Sequence, residues 1–461
     1  MTTSRRGSHS FFEDLNILLT GSLVLPEDPT YDQVRQLWNG RVNTHPAAIV
    51  RCADAQDVVH TVRWARAHGL ALSVRGGGHD FAGRALCEDG VVIDCSQMRA
   101  VTIDPAARTA YVQGGATIGD LISASREHGL ATTTGTISSV GMAGLTLGGG
   151  YGSLMGTYGL VADTLLSAQV VTAEGQLVTA NATEHADLFW GLRGGGGNFG
   201  VVVSLEYHLH PLTMVLAGLL LYPLDQARAV LRYYNEFIAT APDALTIQSG
   251  FIQMPDGMPV LFLSPVYCGP LEAGERVLAP LRATGSPLTD QIQPITYDAL
   301  VHTLDAFFPK GRHYSIQTQS LAGLRAETIE ALVQCARRFS SPFSGISIHH
   351  FHGAASRVSA SATAFAPRQD HLMVEIVAGW EPQSPEEDQR HVQWAQASSD
   401  VLALYALKGG YINMLDEGGQ ERVPLTFGPN YERLLQLKRM YDPDDVFHST
   451  IGHVKPTASQ E

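Results

Sequence analysis

The chain has 461 residues, 44% of them hydrophobic, which is enough for two or three lobes with separate cores. Its net charge of −14 argues against nucleic acid and anionic membrane surfaces as partners. The five cysteines show no metal-type spacing. We therefore interpret them as buried thiols, and we expect neither disulfides nor a metal site.

The apolar runs are all too short to span a membrane. Arg5-Arg6 resembles the start of a twin-arginine export signal, but Thr20, Gly21 and Ser22 interrupt the apolar stretch that follows. The sequence therefore favours a cytoplasmic protein.

The first predicted unit is β-α-β, with a strand at 48–50, a helix from a cap at Asp54 to His68 and a strand at 70–74. It leads into RGGGHDFAG at 75–83. Three consecutive glycines can turn successive N–H groups toward one point, which makes a nest for an anion such as phosphate. His79 stands at the end of this nest. The alternative is a tight turn followed by an ordinary surface histidine.

A Rossmann dinucleotide site is the rival interpretation of this loop. It requires a helix directly after the glycines, with the pyrophosphate at the helix N-terminus. The next predicted element is instead a strand at 90–95, which leaves little room for a crossover helix. The Rossmann alternative is therefore disfavoured.

Two further glycine-rich segments follow among predicted strands. The intervening elements are a hairpin at 101–112, a helix from Thr117 to His128, a hairpin at 166–178 and a strand at 201–209. The glycine-rich segments lie at 135–152 and 193–200. Because each interior glycine costs roughly 0.5–1 kcal/mol relative to alanine, such clusters indicate a ligand that lies against bare backbone.

The composition changes from residue 217 to about residue 404, where glycine clusters disappear and strands alternate with helices. Strands are predicted at 219–222, 245–253, 259–268, 313–321, 345–352 and 372–380, and helices at 227–239, 273–283, 326–339 and 386–405. This pattern indicates a separate lobe, with one antiparallel sheet above the glycine loops and helices on its outer side.

Taken together, these segments resemble a known family. The segments are RGGGH at 75–79, GLTLGGGYG at 144–152, LFWGLRGGGGNFGVV at 188–202, GYIN at 410–413 and KRMYDPDDVF at 438–447. They resemble the berberine bridge enzyme-like branch of the p-cresol methylhydroxylase/vanillyl-alcohol oxidase superfamily, and the length is similar to that of bacterial 6-hydroxy-D-nicotine oxidase-like members. The resemblance covers nearly the whole chain from about residue 23.

The resemblance implies an α+β, two-lobed PCMH-type FAD-binding fold. The implied divisions are an FAD-binding domain at 1–212, a substrate-binding domain at 213–405 and a C-terminal segment at 406–461 that returns to the first domain. The implied cofactor is FAD, joined by an 8α bond to His79. Many relatives add a second bond from a cysteine at the position of Ile137, so a single bond is expected here. The implied FAD-lining residues are Arg75, Gly76, Gly77, Gly78, His79, Ser139, Gly141, Gly144, Tyr151, Gly152, Gly200, Val202 and Asn413.

The predicted strand GISIHHFH at 345–352 supplies the main catalytic candidates. Alternation places His350 and His352 on one face with Ile346 and Ile348. In the family, the matching strand lies over the flavin, so this pair is the expected general base and its partner. The two histidines could instead bind a metal ion, although the sequence offers no third ligand at a suitable spacing. The non-catalytic interpretation is that both are ordinary core or solvent-exposed histidines.

Glu375, on the next predicted strand, is a second candidate for the base, and Tyr411 belongs to a tail motif that closes over the flavin. Two departures from the family pattern weaken a borrowed mechanism: Met414 replaces a tyrosine, and His448-Ser449 replaces an Asn-Gln pair.

The predicted function is that of an FAD-dependent oxidoreductase, expected to be an oxidase of secondary metabolism. It would remove hydrogen from a C–OH or C–NH group of a small or aromatic metabolite, with hydride transfer to flavin N5 and O2 as acceptor. The alternatives are a flavin dehydrogenase with another acceptor, and a non-redox cyclase or binding protein on the same fold.

Overall fold

The computed structural model describes residues 7–415 and 417–447. The Arg5-Arg6 pair and the tail segment His448-Ser449 lie outside these ranges. The described chain forms two lobes that enclose a cavity, and three sheets account for most of its strands.

The first sheet contains the predicted β-α-β unit. Its strands are β1 (Ser22–Val24), β2 (Ala48–Arg51), β3 (Leu72–Arg75) and β4 (Val91–Asp94), in the order β1-β2-β4-β3. The helices beside it are α1 (Gly7–Leu18), α2 (Tyr31–Val34) and α3 (Ala55–Ala67). Asp54 caps α3 as predicted, because its side chain accepts hydrogen bonds from the backbone N–H groups of Gln56 and Asp57. The chain from Gly83 to Gly90 holds turns and no helix, which agrees with the expectation that disfavoured a Rossmann unit.

The second sheet is antiparallel and has the order β5-β6-β10-β8-β9. Its strands, with the separate β7–β11 pair, are β5 (Val101–Asp104), β6 (Thr109–Gln113), β7 (Leu130–Ala131), β8 (Leu165–Val171), β9 (Leu177–Asn181), β10 (Val201–His208) and β11 (His210–Pro211). The accompanying helices are α4 (Ile118–Arg126), α5 (Met142–Leu147), α6 (Met155–Tyr158) and α7 (Ala186–Leu192). Thr117 and Asp120 form a reciprocal capping box at the start of α4.

The third sheet has nine strands and belongs to the second lobe. Its strands are β12 (Met214–Ala217), β13 (Leu220–Pro223), β14 (Leu245–Gln253), β15 (Pro259–Tyr267), β16 (Thr289–Asp290), β17 (Gln293–Thr296), β18 (His313–Leu321), β19 (Gly345–Phe351) and β20 (His371–Trp380). All of its strand pairings are antiparallel, as predicted.

The remaining helices cover the outer side of the third sheet or return to the first lobe. They are α8 (Ala227–Ile238), α9 (Leu271–Arg282), α10 (Tyr297–His302), α11 (Ala326–Ala336), α12 (Ala354–Arg357), α13 (Pro385–Ala403), α14 (Val423–Phe427) and α15 (Tyr431–Tyr441). Short 3-10 turns lie at Val161–Asp163, Leu224–Gln226, Asp305–Phe307, Ile412–Met414, Glu417–Arg422 and Gly428–Asn430. Leu434 and Leu437 of α15 pack in the core of the second sheet, so the end of the described chain lies on the first lobe.

Two strand faces in the third sheet determine how the cavity is built. Ile346 and Ile348 of β19 share a core with Val374 and Ile376 of β20 and with Leu332 of α11. This face therefore packs mainly against the outer helices. The opposite face of both strands points toward the first lobe and forms part of the cavity wall.

Candidate active site

A cavity of about 1110 Å³ lies between the lobes. We call its first-lobe side the floor, formed by the first (75–83), second (135–152) and third (193–200) glycine loops. We call its second-lobe side the roof, formed by the cavity-facing sides of β14, β18, β19 and β20. Most of the wall area comes from carbon atoms, which suits a flat organic ligand.

The floor requires glycine because its loops touch backbone to backbone. A Cβ on Gly77 would lie 2.5 Å from the backbone nitrogen of Gly141. Gly78 has φ of +69°, a left-handed conformation that other residues rarely adopt. The second loop also receives a hydrogen bond from the third, since Gly196 N–H donates to Leu147 C=O at 2.8 Å. The three loops thus form one continuous surface of bare backbone.

His79 lies at the cavity wall with its Nε2 atom shielded from solvent. Among the described residues, no hydrogen-bond partner approaches this atom. Loss of hydration lowers the pKa of His79 to about 4, so the imidazole is neutral at physiological pH. Its ring stacks on Trp38 with 4.3 Å between ring centroids. A neutral imidazole with an unshared nitrogen lone pair is the form in which histidine acts as a nucleophile.

The tail motif closes the floor from the side of the second loop. The Asn413 amide donates hydrogen bonds to the carbonyls of Gly144 and Leu145, each at 3.2 Å, and to the Tyr411 hydroxyl at 3.1 Å. The Tyr411 hydroxyl also accepts the N–H of Gly150. Burial raises the pKa of Tyr411 to about 12, which keeps it a neutral phenol.

The ring of Tyr151 borders the cavity, and its hydroxyl forms a hydrogen bond within the protein. The hydroxyl lies 2.8 Å from Nε2 of the buried His371. His371 Nδ1 lies 2.7 Å from the carbonyl of Gln369 and donates to it, so Nε2 accepts from Tyr151. Tyr151 is therefore a fixed apolar surface.

The roof carries a close histidine–carboxylate contact, which we call the roof pair: His349 and Glu375. His349 Nε2 lies 3.3 Å from Glu375 Oε2 and 3.5 Å from Gln248 Nε2. Gln248 also donates to the Ser347 hydroxyl at 3.1 Å. All four residues line the cavity. A histidine and a carboxylate in this contact can accept and hold one proton from a bound molecule.

The predicted orientation of β19 was wrong. The face that carries Ile346, Ile348 and His350 packs toward the outer helices, because its aliphatic side chains complete the core of the second lobe. His350 touches the cavity margin, but its Nε2 lies 3.2 Å from Asp370 Oδ1, and the Asp370 side chain is 63% exposed on the outer surface.

His352 follows the end of β19 and does not border the cavity. Its ring stacks on that of His350 at 4.3 Å, and its Nε2 lies 3.2 Å from the Thr246 hydroxyl. Burial, with a smaller effect of His350, lowers the pKa of His352 to about 4. The two histidines thus contact each other as expected, but not above the floor.

Most of the remaining predicted site residues are brought together at the cavity. The predicted FAD-lining residues that border it are Gly76, Gly77, Gly78, His79, Gly141, Gly144, Tyr151, Gly152, Gly200, Val202 and Asn413, and Glu375 and Tyr411 border it as well. Arg75 and Ser139 do not. The Arg75 side chain donates to the Val34 carbonyl and lies beside Asp94, and Ser139 is exposed on the far side of the second loop.

Sequence reasoning missed Trp38, Gln248 and His349 as site residues. For His349 a signal was available. The two faces of β19 differ in polarity, since one carries two isoleucines and the other carries Ser347 and His349. The more apolar face belongs against the helices, which leaves His349 for the cavity.

Two family models match the chain. One, described as an FAD binding domain, matches residues 46–181, and the other, described as berberine and berberine like, matches residues 410–452. The glycine floor and the histidine beside it lie within or next to these matches. The fold and the site therefore define an FAD-dependent oxidoreductase.

Known proteins are similar to this chain over nearly its whole length. It is 31% identical over 440 residues to (R)-6-hydroxynicotine oxidase of Paenarthrobacter nicotinovorans, which covers 93% of this chain and 95% of that protein. The crystal structure of 6-hydroxy-D-nicotine oxidase from Arthrobacter nicotinovorans superposes with a TM-score of 0.84 at 30% identity, covering 93% of this chain and 96% of that one. The chain belongs to the berberine bridge enzyme-like family of FAD-linked oxidoreductases.

The fold is also that of more distant members. Berberine bridge enzyme from Eschscholzia californica superposes with a TM-score of 0.84 at 21% identity, covering 98% of this chain and all of that one. Among the described residues, no helix has the length and apolarity to cross a membrane, and no group of three or more histidine, cysteine or acidic side chains is placed to hold a metal ion.

Proposed function

We propose that the chain holds FAD against the glycine floor through a single covalent bond from His79. The observation that carries the proposal is the shielded, unpartnered Nε2 atom of His79 at the wall of a cavity with a backbone floor. Ile137 also lines the cavity and offers no nucleophile for a second bond. The floor would bind the pyrophosphate through backbone N–H groups.

In this proposal His79 would be joined by a C–N bond to the 8-methyl carbon of the flavin. The bond would replace one hydrogen of the methyl group and the one on the imidazole, and O2 would accept these two hydrogens as H2O2. The neutral state of His79 at physiological pH supplies the lone pair that this bond requires.

The bound flavin would accept a hydride at N5 from the substrate carbon and pass the electrons to O2. The roof supplies what the flavin lacks, a group that removes the proton from the substrate O–H or N–H. We propose the roof pair, with Glu375 retained from the sequence prediction and His349 in place of His350 and His352. The polarity and cavity contact of His349 and Glu375 support this choice.

Tyr411 is proposed as a structural contact of the flavin rather than a base. Its hydroxyl already accepts hydrogen bonds from Gly150 and Asn413, and its raised pKa opposes ionisation. We propose a small or aromatic substrate, because the roof offers apolar contact from Ile316, Met373 and Val377 around the roof pair.

Anaerobic reduction tests this function. The purified protein is mixed with a panel of alcohols, amines and sugars, and loss of the flavin absorbance is followed; air is then admitted and H2O2 is assayed. We expect bleaching by at least one small or aromatic alcohol or amine, and rapid recovery with H2O2 release. Bleaching with slow recovery in air would replace O2 by another acceptor. A flavin that no member of the panel reduces would contradict the proposal.

A further inference from the structure

Trp38 lies between the ring of His79 and a ring from the roof. Its indole is 4.3 Å from the His79 ring with an interplanar angle of 19°, and 4.0 Å from the Tyr314 ring with an angle of 11°. Trp38 and Tyr314 are both buried. These three rings form a stack that runs from the first glycine loop to strand β18.

Trp38 is itself fixed by hydrogen bonds at both ends. Its backbone N–H donates to the carbonyl of Gly78 at 2.9 Å, and its indole N–H donates to the carbonyl of Phe308 at 3.0 Å. The adjoining Asn39 donates to the carbonyls of Phe81 and Tyr314. The indole plane is therefore held by contacts with both lobes.

The ring of His79 has no equivalent hold at its Nε2 atom, which lacks a partner among the described residues. Rotation about the last bond of a histidine side chain is broad unless neighbours restrict it. The flat face of Trp38 restricts this rotation by holding the His79 ring nearly parallel to the indole. The lone pair of Nε2, which lies in the ring plane, consequently points within a plane set by the indole.

We propose that Trp38 is a positioning residue for covalent flavin attachment, which aims Nε2 of His79 by stacking. The proposal rests on the proposed attachment at His79. Trp38 takes no part in the bond itself, and its effect is on the rate at which the bond forms. Since Tyr314 supports the indole from the roof, attachment would also depend on the docking of the second lobe against the first.

The test uses the full-length protein and the variants W38M, W38F and Y314M. Chains purified with incomplete flavin are incubated with excess FAD in air, and acid-stable flavin is measured over time by fluorescence of the denatured protein band. Total bound flavin and thermal midpoint are measured in parallel. W38F keeps a flat face beside His79, whereas W38M fills similar space without one.

We expect W38M to form acid-stable flavin about three- to tenfold more slowly than the natural protein at equal total flavin, the factor that such a ring contact is worth. W38F should lie close to the natural protein, and Y314M should fall between W38F and W38M. If W38M does not fold, the attachment rate of Y314M tests the inference instead, because this variant removes the ring that supports the indole and leaves Trp38 in place.

Equal rates for the natural protein and W38M, or for the natural protein and Y314M when W38M does not fold, would overturn the inference. A fall that only follows total bound flavin would overturn it as well, since that indicates weaker binding. Absence of acid-stable flavin in the natural protein would be a different failure, because it removes the proposed attachment and this inference with it.

Discussion

The floor of the cavity presents backbone, and the roof presents side chains. On the floor, Gly77 and Gly141 approach so closely that one added carbon would collide. On the roof, His349 and Glu375 extend from a regular sheet whose backbone is already paired. The floor and the roof therefore differ in the substitutions that they can tolerate. Where its loops touch, the floor has no room for a side chain, whereas the roof can exchange side chains without moving a strand.

This contrast fits a floor that binds the cofactor and a roof that contacts the substrate. A backbone surface suits a fixed cofactor, and side chains on a rigid sheet can be adapted to different substrates. The comparison therefore predicts that floor variants lose flavin and that roof variants keep flavin but lose turnover.

The largest effect is expected at the roof pair. E375Q and H349Q should each lower turnover by about 10²-fold or more, the usual effect of a general base, with flavin content unchanged. Turnover is measured with the substrate identified by flavin bleaching. H350Q is the matched control, because His350 faces Asp370, and it should change turnover by less than about threefold. A loss of turnover in H350Q equal to that in E375Q would favour His350 as the base, as the sequence predicted.

The next effect is expected on the floor. G77A should lower the affinity for FAD by about 10- to 100-fold, because the new Cβ must push two backbone segments apart. Flavin per chain after gel filtration measures this effect when G77A is made in the H79A background, where binding is reversible, and is compared with H79A alone. G323A is the control, since its Cβ meets only the Asn235 side chain at 3.4 Å. Full flavin content in G77A would contradict a backbone-built floor.

A pH effect should separate His352 from the catalytic roof. Its pKa is about 4 in the folded chain, against an ordinary value of 6.5, so the unfolded chain binds its proton first as the pH falls. The contribution of neutral His352 is thus complete above pH 6.5 and declines toward pH 4. The natural protein should lose about 2 kcal/mol more than H352Q between pH 7 and pH 5. Urea unfolding measures this difference, and parallel losses in both proteins would refute the assignment.

The smallest effect is expected where the tail contacts the floor. N413A removes hydrogen bonds to Gly144 and Leu145, each worth about 1 kcal/mol, and should weaken FAD binding by tenfold or less. It is measured in the H79A background, where binding is reversible. N430A is the control, because Asn430 bonds carbonyls away from the cavity and should lower the thermal midpoint alone. A stronger FAD defect in N430A would contradict this.

The glycine loops were predictable because their chemistry is local. A run of glycines after a strand has few uses besides turns and ligand contact. Three such runs in one chain favour ligand contact over turns. Helix starts at Asp54 and Thr117 were predictable for the same reason, since a cap depends on residues within one turn. Short strands such as Met214–Ala217 and Gln293–Thr296 were missed, because they are defined by pairing with each other and not by their own pattern.

The roof was predictable as a sheet, and its orientation had one signal in the sequence, the difference in polarity between the two faces of β19. Alternation alone divides β19 into two faces without deciding which of them turns inward. The choice of His350 and His352 followed from their spacing and from the family resemblance, which places the matching strand over the flavin. The cross-strand pairing of Ser347 with Glu375, which places His349 and Glu375 on one face, could not be read from either strand by itself.

The central claim is that His79 is the single covalent anchor of FAD, and the mass of the denatured intact protein tests it most directly. The account predicts one species heavier than the bare chain by the mass of FAD less two hydrogens, a flavin-bearing peptide that contains His79, and the bare-chain mass for H79A. A bare-chain mass for a yellow natural protein, or flavin attached to any other residue, would contradict the account.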